Sequence, residues 1–179
     1  MPYRRRMRFL SLAVAAGLTL ALCACGPEPQ PPMPTPSPTT TPFFASDEEA
    51  LAAAEEVYRE YLAVSDLISS EGGAAPERIA PYVTEEWLEH EVETAQELAE
   101  SGRRIVGKSE ITALELQHRD DRQIVVYACH KLEQTMVIDA NGRDVTPTNR
   151  PSEGLLEVTF VIDGVAIRVG GSDLWSEHC

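Results

Sequence analysis

Leu155-Leu-Glu-Val-Thr-Phe-Val-Ile-Asp-Gly-Val-Ala-Ile-Arg-Val169 is the stretch on which the fold turns. Leu156, Val158, Phe160 and Ile162 alternate with Leu155, Glu157, Thr159 and Val161. Successive side chains of a strand point to opposite faces, so this period-two pattern predicts a strand with one apolar face. Asp163-Gly164 is a turn pair, and Val165, Ile167 and Val169 are expected to carry the chain back as the second arm of a β-hairpin.

Upstream, Gln123-Ile-Val-Val-Tyr-Ala-Cys129 is apolar on both alternating sets and is expected to be a central strand buried on two sides. Ile111 to His118 reads as another long strand, and Asn141-Gly142 as a tight turn after Met136-Val-Ile138. Before Arg104 the period changes to that of helices. Ser46-Asp-Glu-Glu49 is a capping box. After it, Ala50, Leu51, Ala54, Val57, Tyr58, Tyr61, Ser65 and Ile68 share one helical face, up to a stop at Glu71-Gly72-Gly73. Pro76 opens a short helical stretch through Ile79 and Val83. Thr84 caps a third helix, with Leu88, Val92, Ala95, Leu98 and Ala99 on its apolar face and Ser101-Gly102 at its end. Helices first and antiparallel strands afterwards predict an α+β domain over residues 46–179, with the helices packed on one sheet face.

The N-terminal part reads differently. Arg4, Arg5, Arg6 and Arg8 precede an uncharged apolar run from Phe9 to Ala24, the order of a secretory signal. Phe9 lies one place too far from Arg5-Arg6 for a twin-arginine signal. Leu22-Cys23-Ala24-Cys25 resembles the lipobox of bacterial prolipoproteins. The resemblance implies cleavage after Ala24, loss of Cys23 with the signal peptide (1–24), and lipidation of Cys25. Two or more acyl chains give stable anchoring. The protein is therefore expected on the extracytoplasmic face of the cell membrane, held by its N-terminal lipid. The alternatives are an uncleaved anchor, for which the run is short, and plain secretion.

Eight of the 13 prolines fall within residues 26–45. Such a segment builds no core and tends toward extended polyproline II, roughly 50–60 Å long. Residues 25–45 thus read as a lipidated cysteine followed by a Pro/Thr-rich stalk. Without residues 1–24 the chain has 11 basic and 29 acidic residues, a net charge of −18. That charge repels phosphate backbones, and nucleic-acid binding is not expected.

The order of elements resembles the nuclear transport factor 2-like fold, a cone of three N-terminal helices wrapped by a curved antiparallel sheet. The chain also resembles small lipoproteins of high-GC Gram-positive bacteria, through the stalk, Tyr127-Ala128-Cys129 and the terminal Trp175-Ser176-Glu177-His178-Cys179. The cone resemblance implies a pocket between the first helix and the concave sheet, often holding an Asp–His or Asp–Tyr pair. Candidate pocket residues are Tyr58, Tyr61, Trp87, His118 and Tyr127; Tyr82 and His130 are further candidates. His118 follows Leu114 and Leu116 on alternate positions and is placed inward on that ground. No spacing pairs any of these with an acid. Tyr58 and Tyr61 also fall on the apolar helical stripe, where a core role is the plain reading.

No phosphate loop, dinucleotide fingerprint, HExxH or G-x-S-x-G elbow is present, and no cofactor is expected. Glu86 and His90, four apart on the third helix and flanked by Glu89 and Glu93, have metal-ligand spacing, but the favoured reading is a solvated face opposite Leu88, Val92 and Ala95, and no metal is expected. Two cysteines remain in the folded part, Cys129 and Cys179. An oxidising compartment and an even count point to one disulfide. Zinc held by Cys129-His130 and His178-Cys179 is the weaker alternative, because neighbours on a strand face opposite ways.

The function these features support first is non-catalytic binding of a small apolar ligand or an envelope partner protein. A small isomerase, dehydratase or hydrolase on the same fold, and a structural homodimer, are the alternatives. The intact mass under non-reducing conditions should fall two hydrogens below that of the dithiol form; a mass showing two free thiols in the folded part would sink the bridge.

Overall fold

The structure, a computed structural model, describes residues 43–179. The expected signal peptide, the expected lipidation of Cys25 and the expected stalk up to residue 42 lie outside the described residues.

Helix α1 (Asp47–Ser70) begins where the sequence places the cap. Ser46 is extended, and its hydroxyl accepts from the Glu49 N–H at 3.2 Å. The Glu49 carboxylate reaches back to the Ala45 N–H at 2.8 Å. Asp47, Glu48 and Glu49 put negative charge on the positive end of the helix dipole. The buried face is Ala50, Ala54, Tyr58, Tyr61 and Ile68. At Gly73, φ is +83°, and a Cβ would sit 2.0 Å from the Ala95 carbonyl oxygen, so only glycine lets the chain pass this close to the next helix.

A 3₁₀ helix (Pro76–Tyr82) and helix α2 (Glu85–Glu100) follow, α2 capped by the Thr84 hydroxyl on the Trp87 N–H at 3.2 Å. Strand β1 (Arg104–Val106) pairs antiparallel with β4 (Met136–Ile138). The main sheet is antiparallel in the order β2 (Glu110–Arg119), β3 (Gln123–Lys131), β5 (Glu153–Asp163), β6 (Ala166–Ser176). Thr84 donates to the Val169 carbonyl at 2.9 Å, which fastens the entry of α2 to the β6 edge. The α+β expectation agrees with this architecture.

The core lies between α1 and one face of the sheet. Ile124, Val126 and Ala128 of β3, Val158 and Phe160 of β5, and Val169 of β6 are fully buried there. They face Ala50, Ala54 and Tyr58 of α1 and Ile79 of the 3₁₀ helix. Each large side chain contributes roughly 1.5–3 kcal/mol through apolar burial.

Two expectations about strands need correction. Val165 is not part of the return strand: Asp163 pairs with Ala166, so Gly164 and Val165 form the two-residue loop, and Val165 is 94% exposed. Nor is β3 buried equally on both sides. Its alternate residues Val125 and Tyr127 are only half-buried, because the helices pack on the opposite face.

Register shifts mark bulges at Thr112 and Gln117 in β2 and at Gly170 and Trp175 in β6. Each inserts one unpaired residue and bends its strand, which curves both edges of the sheet. Cys129 and Cys179 form a disulfide, S–S 2.02 Å, across a separation of 50 residues. It ties the chain beyond β6 to the central strand. The chain-entropy model assigns about 4 kcal/mol to a loop of this length.

Phe160→Ala should cost about 3–5 kcal/mol, because it opens a cavity under Tyr58. Val165→Ala should change stability by less than about 0.5 kcal/mol. Urea unfolding midpoints of the two variants check this; equal midpoints would refute the placement of the core.

Candidate functional site

Tyr58 and Tyr61 sit almost one turn apart on α1, so both reach the interior. Their rings stack at 5.7 Å with planes 7° apart, and Tyr58 meets Phe160 edge-on at 5.8 Å. Two buried hydroxyls need partners there. The Tyr58 hydroxyl lies 2.8 Å from His130 Nε2. Burial holds this phenol far above its ordinary range, so it keeps its proton and shares one hydrogen bond with the imidazole, whose tautomer sets which of the two donates. Burial likewise lowers His130 from its ordinary 6.5, and the charge of Asp66 opposes that shift. Tyr61 donates to Glu91 Oε1 of α2 at 2.7 Å. Burial and the Glu91 charge both raise its pKa well above the usual phenol range.

Beside this interior lies an open groove of about 780 Å³ between the second half of α1 and the start of β2. Its apolar floor is Leu62, Ala63, Leu67 and Ile111; its polar rim is Arg59, Asp66, Lys108, Glu110 and Gln134. Asp66 accepts from the Ser109 N–H at 3.0 Å and from its hydroxyl at 2.9 Å, which pins the loop before β2 to the helix.

The five candidate pocket residues do not share one pocket: Tyr58 and Tyr61 stack on each other in the core, whereas His118 and Tyr127 lie on the outer face. Tyr58 and Tyr61 are core residues tied to His130 and Glu91. Trp87 is half-buried against His90, ring centroids 4.4 Å apart, and its indole N–H is buried without a partner among the described residues. His118 faces outward, contrary to expectation. The extra residue Gln117 breaks the alternation that carries Leu114 and Leu116 inward, so His118 pairs with the outward Val125 and lies 3.5 Å from Asp120. Tyr127 occupies the same outer face, its ring 5.1 Å from that of Trp175 with the planes tilted by 33°, because Ile124, Val126 and Ala128 take the inward positions.

His130 is the interior histidine. It continues the inward series of β3, so the period of the strand carried a signal for it. Asp66 and Ser109 are 43 residues apart, and nothing local in the sequence announces their contact. Glu86, Glu89, His90 and Glu93 are exposed along α2. Among the described residues, the one grouping with metal-like ligand spacing is Cys129, Glu153 and Cys179, and its two sulfurs are bonded to each other. His130 points inward while Cys129 lies on the outer set, so these neighbours do not share a ligand position.

The chain matches no family model and no curated protein. Among solved structures it is similar to the intermembrane space region of the chloroplast protein ARC6, with a TM-score of 0.52 at 10% identity over 70% of this chain and 96% of that one. Weaker likenesses are to Aln2 from a Streptomyces species (TM-score 0.47, 14% identity, 74% and 93% covered) and to a protein from Kribbella flavida (0.45, 15%, 73% and 93%). The ARC6 likeness bears on the fold alone. The order of helices followed by an antiparallel sheet fits the nuclear transport factor 2-like fold.

The unfolded chain protonates its histidine near the ordinary 6.5, and folded His130 protonates only at lower pH. Its contribution to stability is therefore complete above about pH 6.5 and is lost as the pH falls below that value, until the folded group also protonates. His130→Gln should remove this slope, read as the difference between wild-type and variant unfolding midpoints against pH. Tyr58→Phe should cost about 1–3 kcal/mol by leaving His130 Nε2 unpartnered. A variant as stable as wild type would contradict the buried bond.

Proposed function

We propose that this chain is a lipid-anchored extracytoplasmic lipoprotein whose nuclear transport factor 2-like domain binds an extended segment of an envelope partner protein and performs no catalysis. The observation that carries this reading is that side chains fill the space between the helices and the sheet. Tyr58, Phe160, Ile79, Ile124 and Val126 are each less than 2% exposed there, and the buried hydroxyls are satisfied internally. An apolar ligand has no room between α1 and the main sheet, whereas the groove beside the helix is open. That groove combines an apolar floor with charges of both signs, which suits a peptide. It also adjoins β2, an edge strand of the sheet, where an extended segment can add by backbone hydrogen bonding. The lipobox, the proline-rich stalk and a disulfide typical of exported proteins support the address.

A second reading, acid–base catalysis, draws on one observation. His130 is buried against Tyr58 and feels the charge of Asp66, which reaches the groove. His130 itself does not line the groove, which favours binding over chemistry.

The test uses the full chain in bacterial cells. Wild type should fractionate with membranes and carry acyl chains on Cys25, and Cys25→Ala should lose both properties. A photocrosslinker at Leu67 should give a discrete adduct that Leu62→Glu abolishes, whereas one at Val165 should give none. Unlipidated wild type would overturn the anchor. Adducts indifferent to Leu62→Glu would overturn the groove. Turnover dependent on His130 would establish the second reading instead.

A further inference from the structure

A second cavity, of about 320 Å³, lies between the C-terminal end of α1, the 3₁₀ helix, α2 and β1. Its size is near the lower end of the roughly 300–1,000 Å³ typical of ligand pockets. Ile68, Ile79, Ala95, Leu98 and Ile105 give it apolar walls, and Glu91 supplies a carboxylate.

This carboxylate is half-buried, and one of its oxygens is occupied by the Tyr61 hydroxyl at 2.7 Å. Among the described residues no lysine, arginine or histidine pairs with it. The second acid of the lining, Glu97, also lacks a cation, and no basic side chain lines the cavity. The arginines nearest in sequence to Ile105, Arg103 and Arg104, line a different cavity with Glu71 and Asp139.

The element that supplies both acids is uncompensated along its length. Helix α2 holds seven glutamates and no lysine or arginine, and its last turn has no basic residue against the negative end of its dipole. Like charges at helical spacing and acids at the C-terminal end both oppose helix stability. A cation seated against Glu91 offsets part of this charge, exposed Glu97 adds negative potential at the rim, and the apolar walls ask for a hydrocarbon body attached to the cation.

We propose that this cavity binds an amphiphilic cation, a small molecule with one ammonium or guanidinium group on a short apolar body. Half-buried Glu91 holds the charged head, exposed Glu97 attracts it from the rim, and the isoleucines and Leu98 cover the hydrocarbon. An anion of the same shape is excluded by Glu91. The site is separate from the α1–β2 groove and does not depend on the reading given to that groove.

Hexylammonium, hexanol and hexanoate, which share one chain and differ in head group, are titrated into the full chain and followed by backbone amide NMR. Hexylammonium should bind saturably, with shifts centred on Ala95, Leu98 and Ile105, at least about tenfold more tightly than hexanol, the size expected of one charge-assisted hydrogen bond. Hexanoate should not bind. Glu91→Gln, which keeps an acceptor for Tyr61, should erase the preference for the cation and leave the affinity for hexanol. Glu97→Gln should lower the preference in part, and serves if Glu91→Gln fails to fold. Leu98→Trp should fill the cavity and abolish binding of all three. Equal affinity for the three probes, shifts centred elsewhere, or a cation preference that survives Glu91→Gln would overturn the proposal.

Discussion

The position of α1 over the sheet hangs on Tyr58. Its ring lies edge-on to Phe160, and its hydroxyl meets His130 in a region without solvent. A misplaced helix would leave a phenol and an imidazole both buried without partners, and each such loss costs about 1–3 kcal/mol. Apolar contacts alone would tolerate sliding; the hydrogen bond does not. The small residues Ala50 and Ala54 let the helix approach the sheet, and Tyr58 sets its rotation and register. The neighbouring turn then follows. Tyr61 is directed to Glu91 of α2 and Asp66 to Ser109 before β2. The groove and the second cavity are the spaces left on the two flanks of a helix so fixed.

The edges of the sheet complete this arrangement. Bulges in β2 and β6 bend the outer strands. The β6 edge is held by Thr84 at the entry to α2. The disulfide fastens the chain after β6 to β3, and Lys131 and Glu153 pair beside it. The end of the domain is thus joined to its centre by a covalent bond, where terminal residues otherwise fray.

Charge and packing divide the molecule into two surfaces of different character. The helical layer is strongly acidic, and α2 has no internal compensation. The outer face of the sheet carries the neighbouring rings of Tyr127 and Trp175, with Trp175 60% exposed. The acidic helices concentrate negative charge on that layer. They also leave Glu91, a half-buried carboxylate, with a hydroxyl as its sole side-chain partner among the described residues.

Local patterns in the sequence determined the elements. The Ser46 and Thr84 caps, the Gly72-Gly73 stop, a turn at Gly164 and the alternation of Leu156 to Ile162 act over a few residues, so they are legible without a fold. The stripe holding Tyr58 and Tyr61 was legible for the same reason. Only the tertiary structure decided what those residues meet. A single bulge residue, Gln117, turned His118 away from the interior, and the sidedness of β3 sent Tyr127 outward and His130 inward. The contacts of Tyr58 with His130, and of Asp66 with Ser109, span 72 and 43 residues. Such pairings arise from helix-on-sheet packing, in which the buried polar groups of distant segments must satisfy one another, and no periodicity within either segment encodes the match.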